Sequence, residues 1–317
     1  MADQTKKGKA FEYACLVALQ NDLKDNQDIA IDQTEALETA RKFYEQSDAK
    51  IIYKLDKAAK AAARIILRLE PQLQNPANNI PLYLSIQEDS KGIVGDVRDV
   101  LCIRKQNQWE IGLSCKHNHA AVKHSRLSNS INFGEQWFGN SCSKEYFDEI
   151  KPLFDELKIM KDNKVQWKQV SGKDTRFYVP LLNAFIRELL RLDIKYPGEI
   201  PPALLMYLLG RNDFYKVITK DSKKLTQIQA YNILGSLNRQ SKHIKPELKV
   251  QQLKLPTKFF DISYKPNSKN TIYVTCDNGW ALSFRIHSAR TLVEPSLKFD
   301  INLIGVPPTL HTQIEPW

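Results

Sequence analysis

Two features that many proteins have are missing from this sequence of 317 residues: paired cysteines and a long apolar run. The five cysteines are scattered and odd in number, and no two form a C-x-x-C pair, which argues against a disulfide framework and a structural zinc site. No apolar run approaches the roughly 18 residues that span a bilayer. Glu12 and Gln20 interrupt the apolar part of the first helix, and no small-residue cleavage site follows, unlike a signal peptide. We therefore expect a cytoplasmic protein with reduced thiols and no membrane partner.

Acidic residues are also in short supply relative to basic ones. The chain has 46 Lys and Arg against 36 Asp and Glu, which gives a formal net charge of +10. A surplus of this size favours a polyanionic partner, nucleic acid first and an anionic membrane second. Since no segment could span a bilayer, nucleic acid is the preferred partner. The alternative is a basic protein whose charge serves no such partner.

Hydrophobic periodicity predicts helices up to about residue 69, strands from about 82 to 116, further helices between about 146 and 237, and strands again near the end. The predicted helices cover about 9–23, 34–44, 48–69, 146–157 and 181–192, with a further helical stretch over 201–237. The predicted strands cover 82–87, 97–104 and 109–116, and the region 258–303 is β-rich around the turn signal Asp277-Asn278-Gly279. The pattern indicates an α/β or α+β chain in three parts, 1–160, 161–255 and 256–317.

The segment from Gly95 to His119 carries the strongest chemical signal. Side chains alternate along its second strand, so that Ser114 and Lys116 share one face. A lysine closing an otherwise buried strand is costly unless it meets an opposite charge, and the carboxylate placed to meet it on the adjacent strand is Asp99. The pattern predicts an Asp99–Lys116 pair, which could be catalytic or a satisfied structural ion pair.

An acidic residue at a strand start, a short hairpin and a second strand ending in acid-x-Lys together resemble the PD-(D/E)xK nuclease core. The stretch Gly8–Glu12 resembles the first helix of that fold. Longer stretches, WEIGLSCKHNHAAVKHSRLS, INFGEQWF and SFRIHSARTLVEPSLKFDI, are similar to the HaeIII-type restriction endonucleases. The resemblance implies an α/β fold in which helices flank a mixed sheet in a nuclease core (1–160), with helical insertions and a β-rich C-terminal part that contacts DNA.

The same resemblance implies a type II enzyme that hydrolyses double-stranded DNA at a palindrome, acting as a homodimer or through paired monomers. By resemblance alone the site is GGCC, cut to blunt ends. Phosphodiester hydrolysis of this kind uses Mg²⁺, which needs only one or two carboxylates besides water and phosphate. In the family's logic Asp99 and the backbone carbonyl of Cys115 would be metal ligands. Lys116 would position or deprotonate the attacking water.

Ser114 departs from the PD-(D/E)xK pattern, which usually has Glu or Asp at that position. A serine hydroxyl is a weak, neutral ligand, so one negative charge is missing. Glu110 shares the strand face but lies roughly 13 Å away, too far to hold the same ion. Glu12 could reach in from the first helix and Asp96 from the preceding turn, and Glu12 is the preferred candidate. Glu12 could equally be a first-turn acid favoured by the helix dipole.

Two polar, cationic stretches are candidate DNA contacts. Their residue types suit phosphates and base edges, and they comprise Lys123, His124, Arg126 and Asn129 in the first stretch and Arg285, His287 and Arg290 in the second. Along the second, Leu282, Phe284 and Ile286 alternate with Ser283, Arg285 and His287, as in a β-ribbon that could enter the major groove. The alternative is a set of surface cations on a solvated strand.

Ser114 and the net charge also permit a second function. The chain could be a basic, sequence-specific DNA-binding protein on a degenerate nuclease fold that no longer cleaves. Digestion of a plasmid with Mg²⁺ distinguishes the two, because a non-catalytic protein would bind the DNA and leave it intact.

Overall fold

The computed structural model describes residues 3–74, 81–88, 90, 95–117, 123–241 and 244–317. The helices are α1 Asp3–Leu23, α2 Glu35–Glu45, α3 Ala49–Leu69, α4 Phe133–Phe138, α5 Lys144–Asp162, α6 Val179–Lys195 and α7 Ile200–Leu209. The strands are β1 Ile29–Ile31, β2 Leu82–Ile86, β3 Val100–Arg104, β4 Trp109–His117, β5 Lys123–Leu127, β6 Phe214–Lys220, β7 Leu225–Tyr231, β8 Phe259–Tyr264, β9 Thr271–Cys276, β10 Ala281–His287, β11 Leu297–Gly305 and β12 Thr312–Pro316.

The chain divides into two compact units, and each unit is assembled from segments that are distant in sequence. Unit 1 comprises Met1–Ala120, Gly210–Leu253 and Thr309–Trp317, and unit 2 comprises Ala121–Leu209 and Lys254–Pro308. This division differs from the three consecutive parts 1–160, 161–255 and 256–317 expected from the sequence. The reason is that the segments of unit 2 interrupt unit 1, so that strands of a single sheet in unit 1 come from both sides of an insertion. Composition along the chain does not reveal such an insertion.

Unit 1 is built on a seven-stranded mixed sheet in the order β1-β2-β3-β4-β6-β7-β12. Strands β2, β3 and β4 are antiparallel neighbours, whereas β6 runs parallel to β4. Helices α1 and α3 pack on this sheet. The side of α3 that carries Leu55, Ala62 and Ile66 is buried, while Lys57 and Arg64 are exposed. A mixed sheet with packed helices is the α/β arrangement that the sequence predicts.

The helical prediction for 201–237 is wrong after Leu209. Helix α7 ends there, Gly210 follows with φ +92°, and the next residues form the β6–β7 hairpin. Strand β6 is buried on both faces from Phe214 to Thr219. A strand of that kind shows no alternation of apolar and polar residues, so periodicity does not separate it from a buried helix.

Unit 2 contains a five-stranded sheet in the order β5-β11-β10-β9-β8. The predicted hairpin around Asn278-Gly279 is confirmed: both residues have positive φ, 56° and 85°, and they join β9 to β10. Along β10 the residues Leu282, Phe284 and Ile286 are buried. Aromatic side chains from α4 and α6 pack on this apolar side, and the closest ring pair, Phe133 and Phe185, lies 4.9 Å apart.

The five cysteines are free thiols, as the sequence predicts. Among the helices of the described residues, none combines the length and the hydropathy needed to cross a membrane.

Candidate active site

The β3–β4 hairpin of unit 1 brings Asp99 and Lys116 together. Asp99 immediately precedes β3, and its backbone N–H donates to the carbonyl of Leu113 on β4 at 2.7 Å. Its carboxylate Oδ2 accepts the backbone N–H of Cys115 at 2.6 Å and the Nζ of Lys116 at 3.1 Å. The expected ion pair is therefore present, and a backbone hydrogen bond fixes the carboxylate as well as the lysine.

Lys116 is held in its charged form by this partner. Burial lowers the pKa of the ammonium, but the charge and hydrogen bond of Asp99 raise it by more. The resulting pKa lies above the ordinary value of 10.5. The side chain keeps part of its surface exposed. A partly accessible, protonated lysine can donate hydrogen bonds to an anion.

Glu12 reaches the same end of β4 from helix α1. The thiols of Cys15 and Cys115 are within hydrogen-bonding range of each other, which sets α1 against β4 with Glu12 nearly one turn before Cys15. Glu12 is only 6% exposed and accepts a hydrogen bond from Lys9 Nζ at 3.0 Å. Burial and the negative charge of Asp99 raise its pKa to about 8, although Lys9 and Lys116 partly oppose this shift.

Asp96, the other candidate for the missing acid, is engaged elsewhere. Its carboxylate receives Nε and Nη2 of Arg98 at 2.8 and 2.7 Å, and the same guanidinium donates to Glu110 at 2.7 Å. The Arg98 side chain lies across Gly112, where an added Cβ would come within 2.2 Å of it. This network sits near the start of β4, whereas Lys116 lies near its end, so the contacts favour Glu12 over Asp96.

Ser114 is buried, at 2% exposure, between Gly112 and Lys116 on one face of β4. Its partner across the parallel β4–β6 pair is Lys216, a residue that the sequence analysis missed. Lys216 is 6% exposed, and its pKa is lowered to about 8 by burial and by the positive charge of Lys116. In the sequence, Lys216 is marked only as a lysine within an apolar run, and periodicity predicts a helix for that run rather than the strand β6.

Two carboxylates in mutual electrostatic contact, Asp99 and Glu12, offer hard oxygen ligands at this end of β4. Among the residues that the structure describes, no group of three or more His, Cys, Asp or Glu side chains is arranged to hold a metal ion. A cation of the Mg²⁺ type needs only one or two carboxylates when water and phosphate supply the remaining oxygens. A divalent cation between the two carboxylates would offset their mutual repulsion, which together with burial raises the pKa of Glu12. The donor set therefore fits such an ion.

In unit 2, part of the predicted DNA-contacting set shares one face of the five-stranded sheet. Arg126 on β5 is the partner of Lys298 on β11, and Lys298 is in turn the partner of His287 on β10. Arg285 is exposed two residues before His287, opposite Asp300. Because partners across strands project from the same face, Arg126, Arg285, His287 and Lys298 form one polar surface, which we call the β-face. Lys298 is a member that the sequence analysis did not select.

The β-face cations are balanced in part by acids. His287 Nε2 lies 2.9 Å from Asp300, and Arg126 pairs with Glu294 at 3.3 Å. Arg290, beyond the end of β10, pairs with Glu294 at 3.4 Å and remains 75% exposed.

The other predicted contacts lie elsewhere in unit 2. Lys123 donates to the carbonyl of Tyr207 at 3.0 Å, its Nζ lies 3.7 Å from the ring centroid, and burial lowers its pKa to about 8. It therefore packs within the unit. Asn129 follows β5 and donates to Asp155 at 3.3 Å. The backbone of His124 lies in β5, but its side chain lies outside the described part of the structure.

Comparisons with known proteins identify the family of this chain. The family model for HaeIII restriction endonuclease matches residues 8–307. The type II restriction enzyme HaeIII of Haemophilus aegyptius is 44% identical over 310 residues, which cover 98% of this chain and 97% of that enzyme. No solved structure is matched. The match covers nearly the whole chain at high identity, and the chain therefore belongs to the HaeIII restriction endonuclease family.

Proposed function

We propose that this type II restriction endonuclease cuts double-stranded DNA within the palindrome GGCC to blunt ends, with Mg²⁺, at the site formed by Asp99, Lys116 and Glu12. The observation that carries the proposal is the Asp99–Lys116 pair at 3.1 Å on a β-hairpin, at the end where Glu12 enters from α1. The base sequence and end geometry come from the family resemblance. Membership of a restriction endonuclease family supports double-stranded DNA as the substrate and a divalent metal as the cofactor.

Asp99, Glu12 and the backbone carbonyl of Cys115 would hold the metal ion. When bound, a divalent cation polarises the scissile phosphate and lowers the pKa of a coordinated water. Lys116, kept protonated by Asp99, would donate hydrogen bonds that orient the attacking water and stabilise charge on the phosphate. Its raised pKa favours this role over that of general base. Ser114 would contribute a neutral hydroxyl beside the phosphate.

We assign unit 1 to the PD-(D/E)xK fold on the strength of its connectivity. A helix is followed by the antiparallel strands β2, β3 and β4, and then by β6 parallel to β4. The acidic residue precedes β3 and the lysine lies near the end of β4, as the motif requires. The cytoplasmic location expected from the sequence remains a prediction.

The enzyme would act as a homodimer, since a palindrome presents the same cut site on both strands, related by two-fold symmetry. In each protomer the β-face would contact DNA. Arg285 and Arg126 are suited to O6 and N7 of guanine or to phosphates, and His287 to phosphates. The exposed Arg290 would add a phosphate contact, as would Asn129 and His124.

Digestion of a plasmid of known sequence, followed by sequencing of the new ends, tests the whole proposal. Wild-type protein with Mg²⁺ should yield discrete fragments whose ends read GG and CC without overhang. The Lys116→Ala variant should bind the same DNA in a gel-shift assay without cutting it. Intact plasmid that is nevertheless shifted by the wild-type protein would instead identify a non-catalytic DNA-binding protein.

A further inference from the structure

The backbone on both sides of Asp99 is held by one residue next to strand β2, Gln87. Strand β2 ends at Ile86, which is paired with Val100, and Gln87 follows directly. The backbone N–H of Gln87 donates to the carbonyl of Asp99 at 2.9 Å. Its side chain turns to the preceding residue, where Nε2 donates to the carbonyl of Arg98 at 2.9 Å. One residue therefore binds two successive carbonyls.

The peptide group that joins Arg98 to Asp99 is fixed at both of its polar ends. Its carbonyl accepts the Gln87 amide, and its N–H donates to the carbonyl of Leu113 on β4 at 2.7 Å. The next peptide group is fixed at its carbonyl by the backbone of Gln87. Because peptide groups are planar, fixing these two groups leaves the Cα of Asp99 little freedom to rotate. The direction of the carboxylate is thereby set from both neighbouring strands.

A side chain is needed at this point because the β2–β3 ladder has ended. The register of the ladder reaches Val100 but does not include Arg98. Arg98 is only 7% exposed, and in a residue this buried a carbonyl that lacks a donor costs free energy. The Gln87 amide supplies the donor, and it also hydrogen-bonds the carboxylate of Asp96. It therefore continues the support of the backbone beyond the end of the ladder.

The contacts of the Asp99 carboxylate require an accurate position. Its Oδ2 accepts the N–H of Cys115 at 2.6 Å and the ammonium of Lys116 at 3.1 Å. Both donors lie on β4, so a rotation of Asp99 about its backbone would move the carboxylate relative to both of them. Groups that act on a metal ion or a substrate are typically held to within about 0.5 Å of their productive position.

We propose that Gln87 is a positioning residue of the nuclease site, which orients the Asp99 carboxylate for the metal ion and for Lys116. The proposal rests on the proposed function, because it takes Asp99 as a metal ligand. Groups that hold a ligand in its orientation contribute to metal affinity, and their loss typically weakens binding about 10- to 100-fold. Gln87 acts in this way through the backbone, without being a ligand itself.

The test begins with two substitutions of Gln87. Gln87→Met keeps the length of the side chain and removes the amide, whereas Gln87→Glu keeps the shape and removes the donor. In both variants the Mg²⁺ concentration that gives half of the thermal stabilisation should rise about tenfold or more. The Mg²⁺ concentration for half-maximal single-turnover cleavage of a GGCC duplex should rise in parallel. DNA affinity without metal should stay within about twofold of wild type.

Gln27→Leu is the matched control, because Gln27 makes the same kind of hydrogen bond elsewhere in unit 1. Its Nε2 donates to the carbonyl of Leu73 at 2.6 Å, and its Oε1 accepts Nη2 of Arg104. Removing this amide should also lower the unfolding temperature. It should leave the Mg²⁺ requirement unchanged, so a shift confined to the Gln87 variants separates positioning from a general loss of stability.

Hydrogen exchange reports the position of Asp99 without metal or DNA. The N–H of Cys115 donates to Asp99 Oδ2, so displacement of the carboxylate should make that N–H exchange faster. In metal-free Gln87→Met, exchange at Cys115 should be faster than in wild type by on the order of tenfold. In Gln27→Leu it should be unchanged.

The inference is overturned if the Gln87 variants keep the wild-type Mg²⁺ requirement, or if Gln87→Glu behaves like wild type. An equal shift in Gln27→Leu, or unchanged exchange at Cys115 in Gln87→Met, would overturn it as well. If the wild-type protein is neither stabilised by Mg²⁺ nor able to cut GGCC, the proposed function fails instead. The exchange measurement, which needs neither metal nor DNA, then still decides whether Gln87 positions Asp99.

Discussion

The two ends of strand β4 both bury charge, yet they treat it differently. At the start, the Arg98 guanidinium is held by two carboxylates, Asp96 and Glu110, each at 2.7 Å. At the end, Lys116 has Asp99 at 3.1 Å, while its own positive charge depresses the pKa of Lys216. The first end surrounds one guanidinium with two carboxylates, whereas at the second end two lysines, Lys116 and Lys216, oppose each other's charge. The two ion pairs on this strand therefore differ in their surroundings, and we expect only the Asp99–Lys116 pair to take part in cleavage.

The sharpest contrast is expected between neutral variants of an acid from each end. Asp99→Asn removes the charge that anchors Lys116 and that would hold the proposed metal ion, and should reduce single-turnover cleavage by about 10³-fold or more. Glu110→Gln, 44% exposed at the other end, should cleave within about twofold of wild type. Equal losses in the two variants would contradict the placement of the site.

The opposite contrast is expected in stability. Arg98→Met leaves the carboxylate of Asp96 buried without its guanidinium, and should lower the free energy of unfolding by about 3 kcal/mol. Urea denaturation measures the change. Adding Asp96→Asn to this variant should recover part of the loss, because the stranded charge is then removed. A double variant no more stable than Arg98→Met would show that the pairing does not carry the effect.

The buried carboxyl of Glu12 should make the stability of the protein depend on pH. Its pKa rises from 4.5 to about 8 on folding, so between these values the folded protein holds a proton that the unfolded chain has released. Metal-free protein should therefore lose stability as pH rises from about 5 to 8, by on the order of 2 kcal/mol. Glu12→Gln should flatten this dependence. At pH 8, where the carboxylate of Glu12 is available, Mg²⁺ should stabilise the wild type, and it should stabilise the Glu12→Gln variant to a smaller extent.

The smallest effect is expected at Ser114. A neutral hydroxyl contributes about one ordinary hydrogen bond, so Ser114→Ala should reduce cleavage by no more than about tenfold. Thermal unfolding serves as the control, because the removed oxygen is buried. A loss as large as that of Asp99→Asn would show that the hydroxyl is an essential ligand.

Local pattern predicted the Asp99–Lys116 pair and missed the neighbouring Lys216 for a physical reason. The β3–β4 hairpin alternates enough for its register to be read, and the cost of burying Lys116 pointed to Asp99 as the partner. Strand β6 is buried on both faces and follows an apolar helix, so its period is hidden and Lys216 was assigned to a helix. Which strand lies beside β4 depends on pairing over about 100 residues, and local propensity does not carry that information.

Glu12 shows an intermediate case. The sequence put it near the start of a helix and offered it as one of two replacements for the missing acid. The choice between Glu12 and Asp96 depended on Arg98, which binds Asp96. The strand surfaces of unit 2 were also predicted only in part. Alternation predicted the exposed side of β10 correctly, whereas the place of Lys298 on the same face depends on the register of β11 against β10.

The interleaving of the two units has a consequence for biosynthesis. The sheet of unit 1 gains β6 only after residue 220 and β12 only after residue 316, with unit 2 segments synthesised in between. A nascent chain that has exposed the Asp99–Lys116 hairpin still lacks the neighbouring strand and Lys216. Such long-range pairing folds slowly and late. We expect ribosome-bound chains that have not yet exposed β6 and β12 to be unable to cut DNA.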